Sequence, residues 1–251
     1  IDLERETIAS PFSYATCICV PDMPRRAVFA FEDHSMLPVY DLAISSYGCR
    51  TRILLRHKNL SWHSIAPPPG YGSAAYCQIV PAGTIPALDD NGFIICDSEA
   101  IAEYINEIQP DPAMLPAEPR ARATARALSH FHDSRIEPVL RAYFGQIAPI
   151  SRDADFIRDN ASLLQKRMQQ LAQMVTPQPF LCGDILSFAD CGFAPSFAII
   201  NRLQTILEFT VDLPDSLRAY EAALANHPSV SDELQRYYDA LDSWAEAKLK
   251  S

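Results

Sequence analysis

Residues 109–119 read QPDPAMLPAEP, and the four prolines in this stretch forbid a helix running through it. A proline inside a helix loses a backbone hydrogen bond and clashes with the preceding turn, so this stretch cannot be continuous helix and is the best candidate for a linker. The text on either side differs accordingly. Residues 36–112 carry short apolar runs broken by Pro, Gly and Asn. Residues 120–251 are dominated by Ala, Leu, Arg and Gln at helical spacing, as in Ala127, Leu128 and Phe131, and again in Leu163, Leu164, Met168 and Leu171. The spacing predicts an α/β domain over 36–112, a linker over 113–119 and an all-α domain over 120–251, with about five or six helices and no strand.

Within the first domain, LPVYDLAI (37–44) is strand-like, CRTRILLRHKN (49–59) is a short amphipathic helix and LSWHSIA (60–66) is a second strand. A Pro/Gly loop with one helical turn follows. IPALDDNGFIIC then supplies two strands around Asp90-Asn91-Gly92, a strong hairpin signal. Ser98 is placed to cap a helix reaching Gln109. The order β-α-β-α-β-β-α is that of a thioredoxin-like domain. Residues 1–35 fit neither half. Their FSYATCICV is apolar, yet acidic residues precede it and Pro21 and Pro24 follow, so the segment reads as an irregular extension, with a poorly cleaved signal sequence as the alternative.

Charge excludes one partner class. The net charge is −10 and no Lys/Arg-rich run exists to neutralise phosphates, so nucleic acid is not expected as a partner. The seven cysteines are dispersed with no CxxC, which reads as reduced thiols in a cytoplasmic protein rather than a disulfide frame. His130 and His132 stand two apart on a predicted helix and point to nearly opposite sides, so no metal site is expected there. No apolar run approaches the ~20 residues needed to span a bilayer, and no membrane association is expected.

Three short stretches have the chemistry to hold a ligand. In VPAGTIPAL (80–88), a cis Pro86 would free the N–H and C=O of Ile85 to pair with a peptide-like ligand; a trans proline at a strand start is the alternative. Asp97 and Ser98 open a helix, where backbone N–H groups favour a carboxylate and Asp97 could hold an ammonium beside it, or where they serve only as a cap. ISSYGCRTR (44–52) sets Ser45, Ser46, Tyr47 and Cys49 at another helix start, a place where a hydroxyl donor and the helix dipole would stabilise a thiolate; plain capping is again the alternative.

In this order and at these separations the three stretches resemble the soluble glutathione transferases. VPAGTIPAL is similar to that family's N-P-x-G-x-V-P-A-L turn, and DSEAIAEYI (97–105) to its E/D-S-x-A-I-x-x-Y-I segment. FLCGDILSFADCGFAP (180–195) is similar to its F-L-x-G-D-x-[LIV]-[ST]-x-A-D motif, where Ser187 and Asp190 form a structural capping box. The resemblance implies the glutathione transferase fold and glutathione as the cofactor. Ile85 and Pro86 would pair with its backbone, Asp97 and Ser98 with its γ-glutamyl end, and Ser45, flanked by Ser46 and Tyr47, would hydrogen-bond the thiolate. It further implies a small-molecule electrophile in a pocket lined by Tyr47 and the first long helix of the second domain, with His130 and Arg202 as further contacts, and a homodimer.

SSYGCRTRILL is most similar to the zeta class, whose motif is S-S-C-x-[WH]-R-V-R: Ser45, Ser46, Arg50 and Arg52 match, while Tyr47 and Cys49 depart. Zeta enzymes isomerise cis double bonds in maleyl keto acids, and Arg202 matches an arginine they place near the substrate. Glu137, in RATARALSHFHDSRIEPVL (122–140), stands where they carry His or Gln. Other readings are a glutathione-dependent dehalogenase, an ether-cleaving enzyme, a thiol reductase using Cys49, or a non-catalytic ligand-binding member. The stretch 64–84 has no Lys, Arg or His, leaving the glycyl end of glutathione to Gln78, His63 or backbone.

Overall fold

Alternation in LPVY buries Leu37 and Val39 and leaves Pro38 and Tyr40 half-buried, and these residues form β1 (Leu37–Tyr40). The computed structural model describes residues 36–250, and the readings made for residues 1–35 lie outside the described residues. α1 (Ser46–His57) begins before its apolar run because the Ser45 side chain accepts the Gly48 N–H at 3.0 Å and starts the helix there. β2 (Trp62–Ile65) returns parallel to β1. On the other side of β1, β3 (Ala87–Asp90) and β4 (Phe93–Cys96) add antiparallel, giving the order β2-β1-β3-β4. Asn91 and Gly92 turn that hairpin with φ of 53° and 91°, the left-handed pair that a tight two-residue turn requires. α2 (Ser98–Ile108) completes the α/β half.

The proline-rich stretch carries no helix or strand from 109 to 118 and is pinned at its start. Lys58, at the end of α1, donates to Asn106 Oδ1 at 2.8 Å and to the Gln109 carbonyl at 2.6 Å, and the Met114 N–H donates to the same Asn106 oxygen at 3.1 Å. α3 (Pro119–Phe131) opens with its proline in the first turn, and the Glu118 carboxylate accepts the Ala121 N–H. A wide π turn over His132–Ile136 then resets the chain into α4 (Glu137–Ala142). α5 (Ala154–Met174), α6 (Phe188–Leu207), α7 (Asp215–Asn226) and α8 (Pro228–Leu249) follow. Among the described residues after 118, an isolated Phe180–Gly183 bridge is the one β feature, as the periodicity predicts.

α6 is buried without a break from Phe188 to Ile200. A helix apolar on every side needs neighbours on every side, and α1, α3, α7 and α8 surround it. Its first turn is fixed by Asp190, which is fully buried. One carboxylate oxygen accepts from the Ser187 N–H and hydroxyl, and the other accepts from the Leu181 N–H and the Tyr220 hydroxyl. Charged groups cross the seam between the halves too. Buried Arg52 pairs with Asp41 below β1 and with Glu233 on α8, and Arg56 pairs with the same Glu233. Arg52 is therefore structural, a joint between the halves.

Candidate functional site

Three turns distant in sequence open on one cavity of about 650 Å³ between the sheet and the helical half. Ser45, Ser46 and Tyr47 line it from the start of α1, Ile85 and Pro86 from the approach to β3, and Asp97 and Ser98 from the start of α2. Ser45 Oγ accepts the Gly48 N–H with one lone pair, so its own O–H is left to donate to a ligand. Capping and donation are thus compatible at one oxygen. Gly48 is obligatory for this turn, since a Cβ there would stand 1.8 Å from Asp41 Oδ1. The Ile85–Pro86 bond is cis, and Ile85 lies outside the strand register, which begins at Ala87.

Asp97, and not Ser98, caps α2. Its Oδ1 accepts the N–H of Glu99 at 2.8 Å and of Ala100 at 3.1 Å, whereas Ser98 is already the first helical residue. The carboxylate reaches two amides where a hydroxyl on the next residue reaches neither, which corrects the expected cap by one position. Asp97 holds φ 81° and ψ 124°, a conformation rare for any residue but glycine and often found at ligand sites. With Oδ1 committed to the helix, Oδ2 remains for a cation.

Behind this rim lies buried Arg50. It donates to Asp133 at 2.9 Å, pairs with Glu99 and Ser129, and reaches Ser98 Oγ at 3.4 Å. Burial works against its charge, but Asp133 and Glu99 outweigh that and hold the guanidinium pKa above its ordinary value. Burial would likewise raise the Asp133 pKa, yet hydrogen bonds from His132 and Arg50 keep it below the usual carboxylate range. His132 donates from Nδ1 to Asp133 at 2.7 Å, so its Nε2 accepts the Ser196 hydroxyl at 2.8 Å. Ser196, His132 and Asp133 thus form a Ser–His–Asp line, but Ser196 and His132 are buried, so the line supports α2 and attacks nothing.

The helical half contributes residues that sequence reasoning missed, chiefly Asp133, Arg141, Phe144, Tyr237, Trp244 and Lys248. The Arg141 guanidinium lies 4.8 Å from the Tyr47 ring centroid, donates from Nε to Glu137 at 3.0 Å and from Nη2 to Ser46 Oγ at 3.2 Å. Burial, then the negative charges of Glu137 and Asp133, push the Tyr47 hydroxyl up to about 12, so it stays protonated at neutral pH. The available signals were helical spacings, Glu137 to Arg141 and Leu241 to Trp244 to Lys248, which by themselves also describe an ordinary amphipathic face.

Two expected electrophile contacts are corrected. His130 is exposed on α3 while its neighbours Ser129 and His132 take the inward positions, and it does not line the cavity. Arg202 donates to Asp242 on α8 at 2.6 Å and lies outside the lining as well. Gln78 and His63 are exposed and away from the cavity, whose rim beside Ile85 is built by Tyr71 and Thr84. Cys49 points into the core, fully buried, and burial drives its thiol pKa far up.

Residues 39–113, the part that carries all seven rim residues, match the family model described as the glutathione S-transferase N-terminal domain. The chain has the glutathione transferase fold. A solved glutathione transferase, URE2P5 from Phanerochaete chrysosporium, superposes with a TM-score of 0.73 at 21% identity, over 84% of this chain and 99% of that one. The maleylacetoacetate isomerase of Rattus norvegicus is 28% identical over 202 residues, covering 76% of this chain and 91% of the relative. A stringent starvation protein A homolog from Pasteurella multocida (strain Pm70) is 25% identical over 207 residues, 82% of this chain and 93% of the relative. Together these comparisons support the glutathione S-transferase family.

Proposed function

We propose that the protein is a glutathione transferase that binds glutathione in the 650 Å³ cavity and presents its thiolate to a small electrophile. One observation carries this reading: seven residues from three separated motifs meet on one cavity, and each motif offers a group that glutathione needs. Asp97 Oδ2 suits the γ-glutamyl ammonium, the Ser98 N–H and hydroxyl, which the Asp97 cap does not take, suit its carboxylate, and the Ile85 backbone suits the peptide. The Ser45 O–H suits the thiolate, and a charge-assisted hydrogen bond there lowers the thiol pKa and raises the nucleophile's population at neutral pH.

Titration calorimetry tests the reading. Wild type binds glutathione, and Asp97→Ala weakens binding about tenfold or more, the scale of one lost charged hydrogen bond. Equal affinity in the two proteins would overturn it.

Within that reading we favour zeta-like isomerisation of a maleyl keto acid, supported by the isomerase relative and by the matched Ser45, Ser46, Arg50 and Arg52. Here the thiolate would add to the double bond, rotation would follow about the single bond left, and the same C–S bond would break. Arg202 no longer supports this branch. Dehalogenation or ether cleavage would use the same thiolate. A thiol reductase is disfavoured because Cys49 is buried and, among the described residues, no cysteine lines the cavity. A non-catalytic member would be expected to lack the Ser45 hydroxyl or the Asp97-Ser98 pair, and both are present.

We also propose a cytoplasmic homodimer. The cysteines among the described residues are unpaired thiols, which suits a reducing compartment, and no helix among the described residues is long and apolar enough to cross a membrane. Sedimentation at micromolar concentration should give twice the 27.9 kDa of one chain; a species of one chain alone would rule the dimer out.

A further inference from the structure

β2 is an edge strand, because the order β2-β1-β3-β4 leaves one of its sides without a neighbour. The Ser61 carbonyl accepts the Leu37 N–H and the Ile65 carbonyl accepts the Asp41 N–H, both at 2.9 Å, so residues 61, 63 and 65 turn their backbone groups toward β1. Trp62 and Ser64 turn theirs outward. Among the described residues no hydrogen bond joins the N–H or C=O of either to another residue. Such a row is a template for a further strand, and edges are commonly blunted by lysine, proline, a bulge or a shortened strand. WHSI has no lysine or proline, pairs one to one with β1 and is as long as β1, and Ser61, His63 and Ser64 are exposed.

Beside this edge lies a second cleft, of about 580 Å³, between β2, α1 and α8. Trp62 and Ser64 share one face of β2 and line it, with Arg52 and Arg56 from α1 and Glu233 and Arg236 from α8. The Arg56 guanidinium lies 5.3 Å from the Trp62 ring centroid and donates to Glu233 at 3.1 Å. Arg52 pairs with the other Glu233 oxygen and with Asp41. Two arginines thus offset two carboxylates. Arg236 is exposed, lies one turn beyond Glu233 on α8, and makes no ion pair or hydrogen bond among the described residues. The cleft therefore keeps an uncompensated positive charge on a chain whose net charge is −10.

We propose that this edge docks an extended acidic segment of a partner protein. The segment adds to β2 as a further strand through the Trp62 and Ser64 backbone and directs alternate acidic side chains into the cleft toward Arg236. Both halves of the recognition follow from the period of two in a strand. Cross-strand neighbours share a face, so the partner residues opposite Trp62 and Ser64 point into the cleft that those two residues line. Charge selects against a second copy of this chain as the occupant. Antiparallel pairing of β2 with β2 about a two-fold axis would set two positive clefts side by side on one face of the joined sheet.

The probe is a blocked heptapeptide, Ac-TEVEVET-NH2, in which glutamate recurs at every second residue, added to the full chain. Calorimetry gives its affinity, and amide exchange followed by NMR gives its position. Binding slows exchange of the Trp62 and Ser64 N–H groups about tenfold or more and leaves His63 and Ile65, whose N–H groups face β1, unchanged. The shuffled peptide Ac-TEEVVET-NH2 keeps the charge, loses the alternation and binds about tenfold more weakly or worse. Arg236→Glu, outside the proposed glutathione cavity, weakens the alternating peptide about three- to tenfold, the size of one exposed ion pair lost and reversed. Ser64→Pro removes an outward N–H but no bond to β1, and abolishes binding. Equal affinity for the shuffled peptide would make the cleft an anion site only and overturn strand addition. An unchanged affinity in Arg236→Glu would overturn the acidic partner. Trp62 and Ser64 amides protected before any peptide is added would show an edge already covered, by a second copy if the protection fades on dilution, and would overturn the proposal too. So would the absence of any heat or exchange change up to about 1 mM peptide. Glutathione calorimetry on the same samples reports separately on the other cavity, so either reading can fail without the other.

Discussion

Under the proposed function Ser45 would use one oxygen for two purposes, and this is why its role is hard to read from sequence and simple to test. Its Oγ caps α1 through the Gly48 N–H, and its proton is left to the cavity. Ser45→Ala removes both and costs about 0.5–2 kcal/mol of stability through the lost cap, whereas Ser45→Gly costs a few tenths. Both should lower turnover at pH 7 by about 10- to 100-fold, the loss of one charged hydrogen bond, and raise the bound thiol's pKa by about 1–2 units while glutathione still binds. Thiolate absorbance against pH, alongside thermal unfolding, checks this. If activity tracks stability, falling in Ala and recovering in Gly, Ser45 is only a cap. At this scale the sheet-side rim was legible because its residues sit in short motifs with local meaning: a turn, a cap, a cis proline. The helical wall was not. Arg141 and Trp244 are marked by helical spacing alone, and spacing says which residues share a face without saying what that face meets. His130 and Arg202 failed for the same reason: one faces solvent and the other faces Asp242.

Element boundaries moved wherever a side chain competed for backbone N–H groups. α1 starts early at Ser45, and α2 is capped by Asp97 where Ser98 was expected, because a carboxylate satisfies two amides at once. The break between α3 and α4 was invisible, since HFHDSRIE has no Gly or Pro within it; the wider π turn brings Pro138 into the first turn of a new helix, where its missing N–H breaks no bond. The α6 capping box, in contrast, was fully legible. Its sequence pattern needs only four residues, and the packing adds to it: Asp190 also holds the Leu181 N–H and the Tyr220 hydroxyl. Asp190→Ala would strand those buried donors and lose the cap, costing about 3–5 kcal/mol, enough to lower the unfolding midpoint by roughly 10 °C in a chain of this size. Calorimetric melting measures it. A shift of about 2 °C or less would mean that the box is ornamental to stability.

At the scale of the whole molecule, the proline-rich stretch marks where the strands end and the helices take over, but nothing in the sequence says how the sheet and the later helices are joined. The joint consists of side chains that become partners only in three dimensions: Arg52 and Arg56 with Glu233, and a pair of histidines where α1 ends and α8 begins. His57 and His227 lie with ring centroids 5.4 Å apart, and the His227 ring accepts the Ser229 N–H at Nδ1, so it caps α8 only while neutral there. Burial, then the nearby His227 and Lys58, lowers the His57 pKa to about 4, and burial lowers that of His227 as well. The unfolded chain would take up protons at both near pH 6.5, ahead of the folded one. Between about pH 6.5 and 4 the unfolded state therefore holds more protons, and stability falls as pH falls through that window; above it the contribution is complete and constant. Since the seam is partly open to solvent, His57 should account for about 1–2 kcal/mol of the loss, less than its full shift would give. Urea midpoints at pH 7 and pH 4.5 read this directly. Wild type should lose stability on acidification, with carboxylates adding to the drop, and His57→Gln, which carries no titrating ring, should lose about 1–2 kcal/mol less over the same interval. An identical loss in both proteins would show that the seam opens for other reasons and that its histidines do not report on it.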